Sequence, residues 1–288
     1  MKQGVGIIGL GIMGSAMAAS LLKNGFKVFG YDVLAERRNA LKNGGGIPCG
    51  SPKEVAARAK VIITSLPSAD ALHKVVRQLS GIVVETSTLP IEEKERARDT
   101  VKKRKGTLLD CPLSGTGAQA KAGDLVVFGS GDKAAFQKTK KILEGFSRAQ
   151  PYIGEFGNGS RMKFVANLMV AIHNVSAAEA FALGMKAGLS PKAIFEVQQS
   201  GAGTSRMFQV RGPMMVKGDY REVTMSNRLW QKDMKIIGEF ATKLGVATPL
   251  FNASAAVYNT AMSLGYAEQD TGAACAVLEA MAGIKRKR

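Results

Sequence analysis

Residues 4–22 read GVGIIGLGIMGSAMAASLL, and this stretch decides the fold. Its first part is a short apolar run, as expected of a buried strand, and a helix-like segment rich in Ala, Met and Leu closes it. Gly9, Gly11 and Gly14 lie between the two parts in the pattern G-x-G-x-x-G. The stretch therefore predicts a strand, a tight turn and a helix in direct succession.

Each glycine of this turn has a specific use if a dinucleotide binds there. Gly9 permits the tight turn, Gly11 lets the backbone approach a pyrophosphate, and Gly14 allows the helix to pack closely on the strand. The helix N-terminus offers free N–H groups and a partial positive charge to the phosphates. We therefore predict that the cofactor contacts the turn residues, namely Gly9, Gly11, Ile12, Met13 and Gly14.

A carboxylate at the end of the second predicted strand indicates which dinucleotide is bound. Asp32 lies 18 residues after Gly14, where it can accept hydrogen bonds from both ribose hydroxyls of the adenosine half. It would also repel a 2′-phosphate, which favours NAD over NADP. Arg37 and Arg38 follow closely and weaken that preference. We therefore predict NAD, with NADP as the alternative.

The first half of the chain, to about residue 153, alternates between apolar runs and helical stretches. The strand candidates are VGIIG (5–9), KVFGYD (27–32), KVIITSL (60–66), GIVVETS (81–87), GTLLDC (106–111) and LVVFGS (125–130). The helical stretches between them are residues 12–24, 34–43, 69–79, 91–105 and 133–145. Repeated strand–helix units with short links predict an α/β domain with a Rossmann-type, doubly wound parallel sheet.

The second half has a different pattern. Residues 161–187 form a long stretch of Ala, Val, Leu and Met with little charge, and clear strand runs stop. The later helical segments are roughly 190–199, 204–216, 227–244, 250–265 and 270–283. We therefore predict an NAD(P)-binding domain over residues 1–160 and an all-helical substrate and oligomerisation domain over residues 161–288, joined by a long interdomain helix.

The composition is that of a soluble globular protein, with 45% hydrophobic and 22% charged residues among 288. The formal net charge of +17 includes basic runs at 102–105, 138–141 and 285–288. We interpret these runs as solvated helix faces and a terminal tail, because the sequence has neither an RNA-binding aromatic signature nor zinc-finger spacing. A nucleic-acid partner is therefore not expected.

The chain offers little sign of membrane or metal binding. No run of 18 uninterrupted apolar residues indicates a membrane span, and no clear cleavage site follows the apolar N-terminus. The three cysteines, Cys49, Cys111 and Cys275, are too widely spaced for a disulfide framework or a zinc site, and the chain has only two histidines. We expect a cytoplasmic protein with no metal and no membrane partner.

Loops at the ends of later strands provide further candidate contacts. In an open α/β sheet, ligands bind beyond the carboxyl ends of the strands. Leu66 and Pro67 in SLPS (65–68) and Thr88 in ETST (85–88) are therefore candidates to line the nicotinamide half. The segment DCPLSGTGAQAKAGDL (110–125) places Ser114, Gly115, Thr116 and Gly117 in a row. Such a turn can present N–H groups and hydroxyls to an anion, for which a carboxylate is the natural guest.

The whole chain resembles the β-hydroxyacid dehydrogenase family, which includes 3-hydroxyisobutyrate dehydrogenase and tartronate semialdehyde reductase. Four blocks carry the resemblance in the family's order: GIIGLGIMGSAMA (6–18), DCPLSGTGAQAKAG (110–123), GNGSRMKFVANL (157–168) and QKDMKI (231–236). The resemblance implies a nicotinamide-binding domain, a helical second domain and an active site in the cleft between them. The implied substrate is a small 3-hydroxy acid or its semialdehyde.

The same resemblance implies roles for individual residues. Lys163 would be the catalytic residue and Asn167 would help to hold the substrate. Ser114 and Gly115 would grip the carboxylate, and the cofactor would contact Thr88 and Lys232. One departure concerns Thr116: the family usually has Ser-Gly-Gly where this chain has Ser-Gly-Thr, so the acid bound here would differ from the common ones.

The chemistry of alcohol oxidation explains a lysine at position 163. A hydride must leave for the nicotinamide and a proton must leave the oxygen, so a group must take that proton. Partial burial and cationic neighbours can lower a lysine pKa from about 10.4 towards neutrality, which suits this role. Asn167 lies four residues on, about one helical turn, and therefore shares a face with Lys163.

Two other functions remain open at this stage. One is a non-catalytic, basic, nucleic-acid-binding relative of the family, and the other is an imine reductase. Relatives of the first kind lack the lysine, and imine reductases generally replace it with Asp or Tyr, so Lys163 disfavours both. The Ala- and Met-rich helical half predicts a homodimer or homotetramer.

Overall fold

The structure of the protein is a computed structural model that describes residues 4–115 and 117–286. The chain divides after Lys163 into two compact units. Thr116, one of the predicted substrate contacts, lies outside the described residues.

The first unit is built on a parallel sheet of six strands. They are β1 (Gly4–Ile8), β2 (Lys27–Tyr31), β3 (Ile47–Pro48), β4 (Val61–Thr64), β5 (Ile82–Glu85) and β6 (Thr107–Asp110), in the order β3-β2-β1-β4-β5-β6. The direction of the strand order reverses between β1 and β4. In doubly wound sheets that reversal opens a crevice at the carboxyl ends of the strands, where ligands bind.

Five helices connect these strands: α1 (Ile12–Lys23), α2 (Ala35–Asn43), α3 (Pro52–Arg58), α4 (Ala69–Val76) and α5 (Ile91–Lys103). Successive strand residues point to opposite faces, and each face has its own core. Ile7 and Ile63 belong to one buried cluster, while Ile8 and Ile62 belong to the other. Both faces are covered, which explains why the strands read as continuous apolar runs.

A smaller sheet completes the first unit. It contains β7 (Leu113–Ser114), β8 (Leu125–Val127) and β9 (Ser147–Ala149), with α6 (Gly117–Lys121) and α7 (Lys133–Leu143). The predicted strand at 125–130 forms over 125–127, but it pairs antiparallel with β7 rather than joining the large sheet. The large sheet also contains β3, a strand that the sequence did not predict. It has only two residues, which are too few to show a strand pattern.

The second unit is helical. Helix α8 (Asn158–Lys186) begins in the first unit and continues into the second. It is followed by α9 (Pro191–Gln198), α10 (Arg206–Lys217), α11 (Asn227–Lys243), α12 (Pro249–Ser263), the 3₁₀ turn Thr271–Ala273 and α13 (Ala274–Met281). The predicted α/β fold class with a helical second half is confirmed.

Helix α8 has the length and composition of a membrane span. It is the one helix of this kind in the described part of the chain, with a mean hydropathy of 1.4 over its most apolar window. The core helix of a soluble protein gives the same signal, and 39% of that window is buried inside the protein. The absence of a membrane partner stays a prediction.

Candidate active site

The glycine turn between β1 and α1 has the geometry that its sequence predicts. Gly9 has φ +90°, and a Cβ there would lie 2.1 Å from the carbonyl oxygen of Ser65. A Cβ on Gly14 would lie 1.9 Å from the carbonyl oxygen of Gly9. These distances leave no room for a side chain, so Gly9 and Gly14 let α1 and the β4 loop approach the turn closely.

Gly11 differs from its neighbours because the space around it is open. The nearest atom to a Cβ on Gly11 would be Arg37 Nη1, at 3.8 Å. Gly11 is also the N-cap of α1 and has no side chain with which to cap the free N–H groups. The turn therefore leaves an approach to the helix N-terminus, and this cradle fits a dinucleotide pyrophosphate.

Asp32 is buried at the end of β2 and tied to the same turn. Its Oδ2 accepts a hydrogen bond of 2.7 Å from the N–H of Leu10, and its Oδ1 accepts one of 2.9 Å from the N–H of Leu34. Arg37 Nη1 lies 3.3 Å from Oδ2. The carboxylate that would contact the ribose is therefore held beside the phosphate turn and beside a guanidinium group.

The loops after β4 and β5 meet at the sheet's switch point. The N–H of Leu66 donates a 2.8 Å hydrogen bond to Ser87 Oγ, and Leu66 Cδ2 would lie 3.2 Å from a Cβ on Gly9. Thr88 follows Ser87 and is half-buried, while Pro67 is exposed. The structure thus brings the loops of Leu66 and Thr88 to the same sheet edge as the glycine turn.

The predicted anion loop borders the glycine turn. A Cβ on Gly117, at the start of α6, would lie 2.9 Å from Ile12 Cγ2, so the two segments are in contact. Ser114 is the last residue of β7, paired with Val126 in register, and Gly115 is exposed with φ +139°. The positive φ at Gly115 turns the chain out of the strand, in a conformation that favours glycine.

The start of α8 is fixed at the carboxyl end of β6. The backbone N–H and the hydroxyl of Ser160 donate to the two oxygens of Asp110, over 2.7 Å and 2.8 Å. The N–H of Gly159 donates to Ser130 Oγ, over 2.9 Å. Lys163 follows within one turn and is half-buried. Lys163 is therefore carried by a helical turn that is anchored directly to the strand before the Ser114 loop.

The remaining predicted residues lie in the second unit, where they form one group. Asn167 is buried, and its Nδ2 donates a 2.9 Å hydrogen bond to Asp233 Oδ2. Lys232 Nζ lies 3.3 Å from Asp233 Oδ1. Sequence reasoning missed Asp233, although it stands next to Lys232 in the block at 231–236.

Trp230 packs edge-on against Tyr258 in the core of this unit.

Two family models match almost the whole chain. Residues 4–154 match the NAD binding domain of 6-phosphogluconate dehydrogenase, and residues 157–278 match the NAD-binding domain of NADP-dependent 3-hydroxyisobutyrate dehydrogenase. The chain belongs to the β-hydroxyacid dehydrogenase family. This β-hydroxyacid dehydrogenase is accordingly an NAD(P)-dependent oxidoreductase, and the predictions of its family, enzyme class and cofactor type are confirmed.

Similar proteins act on several small acids. The chain is 30% identical to L-threonate dehydrogenase of Cupriavidus necator, over 99% of this chain and 98% of that one. It is 30% identical to glyoxylate/succinic semialdehyde reductase 1 of Arabidopsis thaliana, over 96% and 98%. Among solved structures, 3-hydroxyisobutyrate dehydrogenase from Salmonella typhimurium superposes with a TM-score of 0.86 at 27% identity, covering 97% of this chain and 100% of that one.

Proposed function

We propose that this β-hydroxyacid dehydrogenase interconverts a small 3-hydroxy acid and its semialdehyde or keto form, with Lys163 as the general acid/base. The observation that carries the proposal is the anchoring of the first turn of α8 to Asp110, at the sheet edge that also bears the glycine turn. The relative named as 3-hydroxyisobutyrate dehydrogenase supports the substrate class.

The cofactor-holding residues would be those around the sheet's switch point. When bound, the nicotinamide supplies or accepts the hydride. The free N–H groups at the start of α1, at Gly11, Ile12 and Met13, would hold the pyrophosphate. Asp32 would accept hydrogen bonds from the ribose hydroxyls. Further contacts with the cofactor would come from Leu66, Pro67, Thr88 and Lys232. We propose NAD as the preferred form because the Asp32 carboxylate repels a 2′-phosphate.

Lys163 would hold the proton at the reacting oxygen. In the oxidation direction its neutral amine takes the hydroxyl proton, and in the reduction direction its ammonium donates a proton to the carbonyl oxygen. Asn167 has one amide N–H engaged by Asp233, which leaves its second N–H and its Oδ1 for a substrate oxygen. Ser114, Gly115 and Thr116 would bind the carboxylate through hydroxyls and backbone N–H groups.

The test of this proposal is Lys163→Ala. General acid/base catalysis contributes about 10²- to 10⁴-fold, so kcat should fall by that factor while the reduced nicotinamide still binds. The assay is a panel of L-threonate, 3-hydroxyisobutyrate, glyoxylate and succinic semialdehyde, followed by nicotinamide absorbance with NAD and NADP forms. The control is Lys186→Ala on the last turn of α8, whose exposed amine donates to Ala282 O. Wild-type turnover in Lys163→Ala would contradict the mechanism.

We also propose a homodimer or homotetramer in the cytoplasm. Large apolar side chains are exposed in the second unit, among them Leu183, Val197 and Leu250. Exposed apolar residues in such number favour an interface in which a second subunit covers them. Light scattering at micromolar concentration measures the mass, and a monomer would remove this proposal. The alternative of a nucleic-acid-binding relative requires salt-sensitive duplex binding together with no cofactor binding.

A further inference from the structure

A cluster of three charged side chains is completely buried below the start of α8. Lys94 Nζ lies 2.7 Å from Glu85 Oε2 and 2.8 Å from Asp110 Oδ1, and all three side chains are 0% exposed. Glu85 ends β5, Asp110 ends β6, and Lys94 comes from the first turn of α5. No step of the proposed reaction uses these groups, although burying charges is costly.

Asp110 is the member of this cluster that holds α8. Both of its oxygens accept from Ser160, and Ser130 Oγ bridges between the N–H of Gly159 and the carbonyl oxygen of Asp110. A Cβ on Gly159 would lie 2.5 Å from that same carbonyl oxygen, so the helix start sits directly on the strand end. A carboxylate at a helix N-terminus is favoured by the helix dipole and by the free N–H groups.

Lys94 is held as an ammonium beside this carboxylate. Burial alone would lower the pKa of Lys94, but the adjacent carboxylates of Asp110 and Glu85 outweigh it and raise the pKa above its ordinary value. The ammonium therefore stays charged and forms an ion pair with each of the two carboxylates. Glu85, the second carboxylate of the cluster, accepts a hydrogen bond at Oε1 from the N–H of Ser87. The hydroxyl oxygen of Ser87 in turn accepts a hydrogen bond from the N–H of Leu66.

We propose that Asp110, held in place by Lys94, is the positioning residue of Lys163. Asp110 fixes the first turn of α8, and Lys163 lies three residues beyond Ser160, on the next turn, so its amine is aimed by the attachment of the helix. This inference rests on the proposed function, because it gives Asp110 an effect on catalysis through Lys163 alone.

The main test is Asp110→Asn. The amide keeps the size of the carboxylate but has one acceptor oxygen instead of two, so either Ser160 or Lys94 loses its bond. We expect kcat to fall about tenfold or more, as a displacement of about 1 Å can do, while Kd for the reduced nicotinamide changes less than about twofold. An unchanged kcat overturns the inference.

Asp270→Asn is the matched control. Asp270 is also 0% exposed, is paired with a buried cation (Arg211 Nε, 2.9 Å) and accepts backbone N–H groups, but it lies in the second unit. Both variants are assayed well below their own Tm. We expect kcat of Asp270→Asn to stay within about threefold of wild type, since Asp270 has no hydrogen bond or ion pair to the described residues that attach the start of α8. An equal fall in both variants would mean general destabilisation and would overturn the inference.

A double-mutant cycle separates positioning from a purely structural effect. If Asp110 acts through Lys163, then Asp110→Asn causes no further loss in the Lys163→Ala background, whereas independent effects multiply. Multiplying losses overturn the inference. If Asp110→Asn does not fold, Ser160→Ala, which removes the hydroxyl bond to Asp110, replaces it in the same cycle and should lower kcat by more than Asp270→Asn does. Wild-type kcat in Lys163→Ala sinks the proposed function itself, whereas a strongly lowered kcat in Lys163→Ala together with a fully active Asp110→Asn sinks the positioning role alone.

Discussion

At the scale of single residues, the three glycines of the first turn have different physical reasons to be glycine. Gly9 and Gly14 are enclosed by backbone carbonyl oxygens, at 2.1 Å and 1.9 Å from a would-be Cβ, and backbone cannot move aside cheaply. Gly11 has open space instead. The first two are therefore required by the packing of the turn, whereas we propose that Gly11 is glycine because the cofactor approaches it.

Alanine substitutions at Gly14 and Gly11 should separate these two uses. Gly14→Ala overpacks the turn and should lower the free energy of unfolding by about 1–3 kcal/mol. Gly11→Ala meets no protein atom nearer than 3.8 Å and should keep the wild-type Tm, while its methyl group weakens binding of the reduced nicotinamide. Calorimetry and nicotinamide fluorescence measure the two effects. Unchanged cofactor affinity in Gly11→Ala would show that the pyrophosphate does not approach this turn.

Asp270 gives the second unit an acid-sensitive element. Burial opposes its charge, but Arg211 and the hydrogen bonds from Gly272 and Thr224 lower the pKa of Asp270 below its ordinary value. The unfolded chain therefore binds the proton more tightly, and stability falls as pH drops below about 3.9 towards the folded pKa. Urea unfolding of the second unit between pH 6 and about pH 2 should show this slope, and Asp270→Asn should reduce it. An identical slope in the variant would contradict the assignment.

At the scale of elements, several helices begin where their sequence provides a cap. The hydroxyls of Ser51, Ser68, Ser190, Ser205 and Ser226 each accept from the backbone N–H three residues on. Such caps stabilise a helix by about 1 kcal/mol each. The Ser190–Pro191 pair was readable in advance, because proline at the first helical position lacks only an N–H that would be unpaired anyway.

Helix α10 contains a proline that conflicts with its own geometry. Pro213 lies in the interior of Arg206–Lys217 and is exposed, so it removes a backbone hydrogen bond without contributing to the core. Pro213→Ala should therefore stabilise the second unit by about 1–2 kcal/mol, after allowance for the greater entropy of the unfolded chain. A rise in Tm checks this, with the solvent-exposed Pro67→Ala in a loop as the control. A lower Tm would mean that the proline fixes a bend that the fold needs.

The elements that the sequence failed to predict are the short ones. Helices α3 and α6 and strands β3, β7 and β9 have at most seven residues, which is too few for a periodic pattern. The pairing of β8 with β7 was also missed, because strand partners are set by contacts between distant segments rather than by local composition. Long helical segments such as α8 and α11 were predicted to within a few residues.

At the scale of the whole molecule, all three thiols are buried. Cys49, Cys111 and Cys275 are free, at most 2% exposed, and burial raises the pKa of each thiol. Because the thiolate is the reactive form, the folded protein should not react with a disulfide reagent at pH 8. All three thiols should react in urea, two of them in the first unit and one in the second. Rapid reaction of the native protein would contradict this burial.

The sequence predicted the turns and loops at the carboxyl ends of the strands better than the buried residues that support them. Gly9 to Gly14, Asp32 and the Ser114 loop were recognisable because their spacing follows a strand–turn–helix pattern. Lys94 was not, because it stands in the charged segment IEEKER and reads as a solvated helix face. Nothing local marks a residue as buried when its two partners lie at the ends of β5 and β6. The roles of Lys163, Asn167 and Lys232 stay predictions.

Gly159 has a practical consequence for anyone who recombines this enzyme with a relative. A Cβ there would meet the carbonyl oxygens of both Asp110 and Phe128 within 2.6 Å, so residues 157–160, 110–112 and 128–131 form a single joint built from three pieces of chain. A crossover placed between residues 131 and 157 would combine halves of this joint from different parents. Chimeras should therefore exchange the three pieces as one cassette.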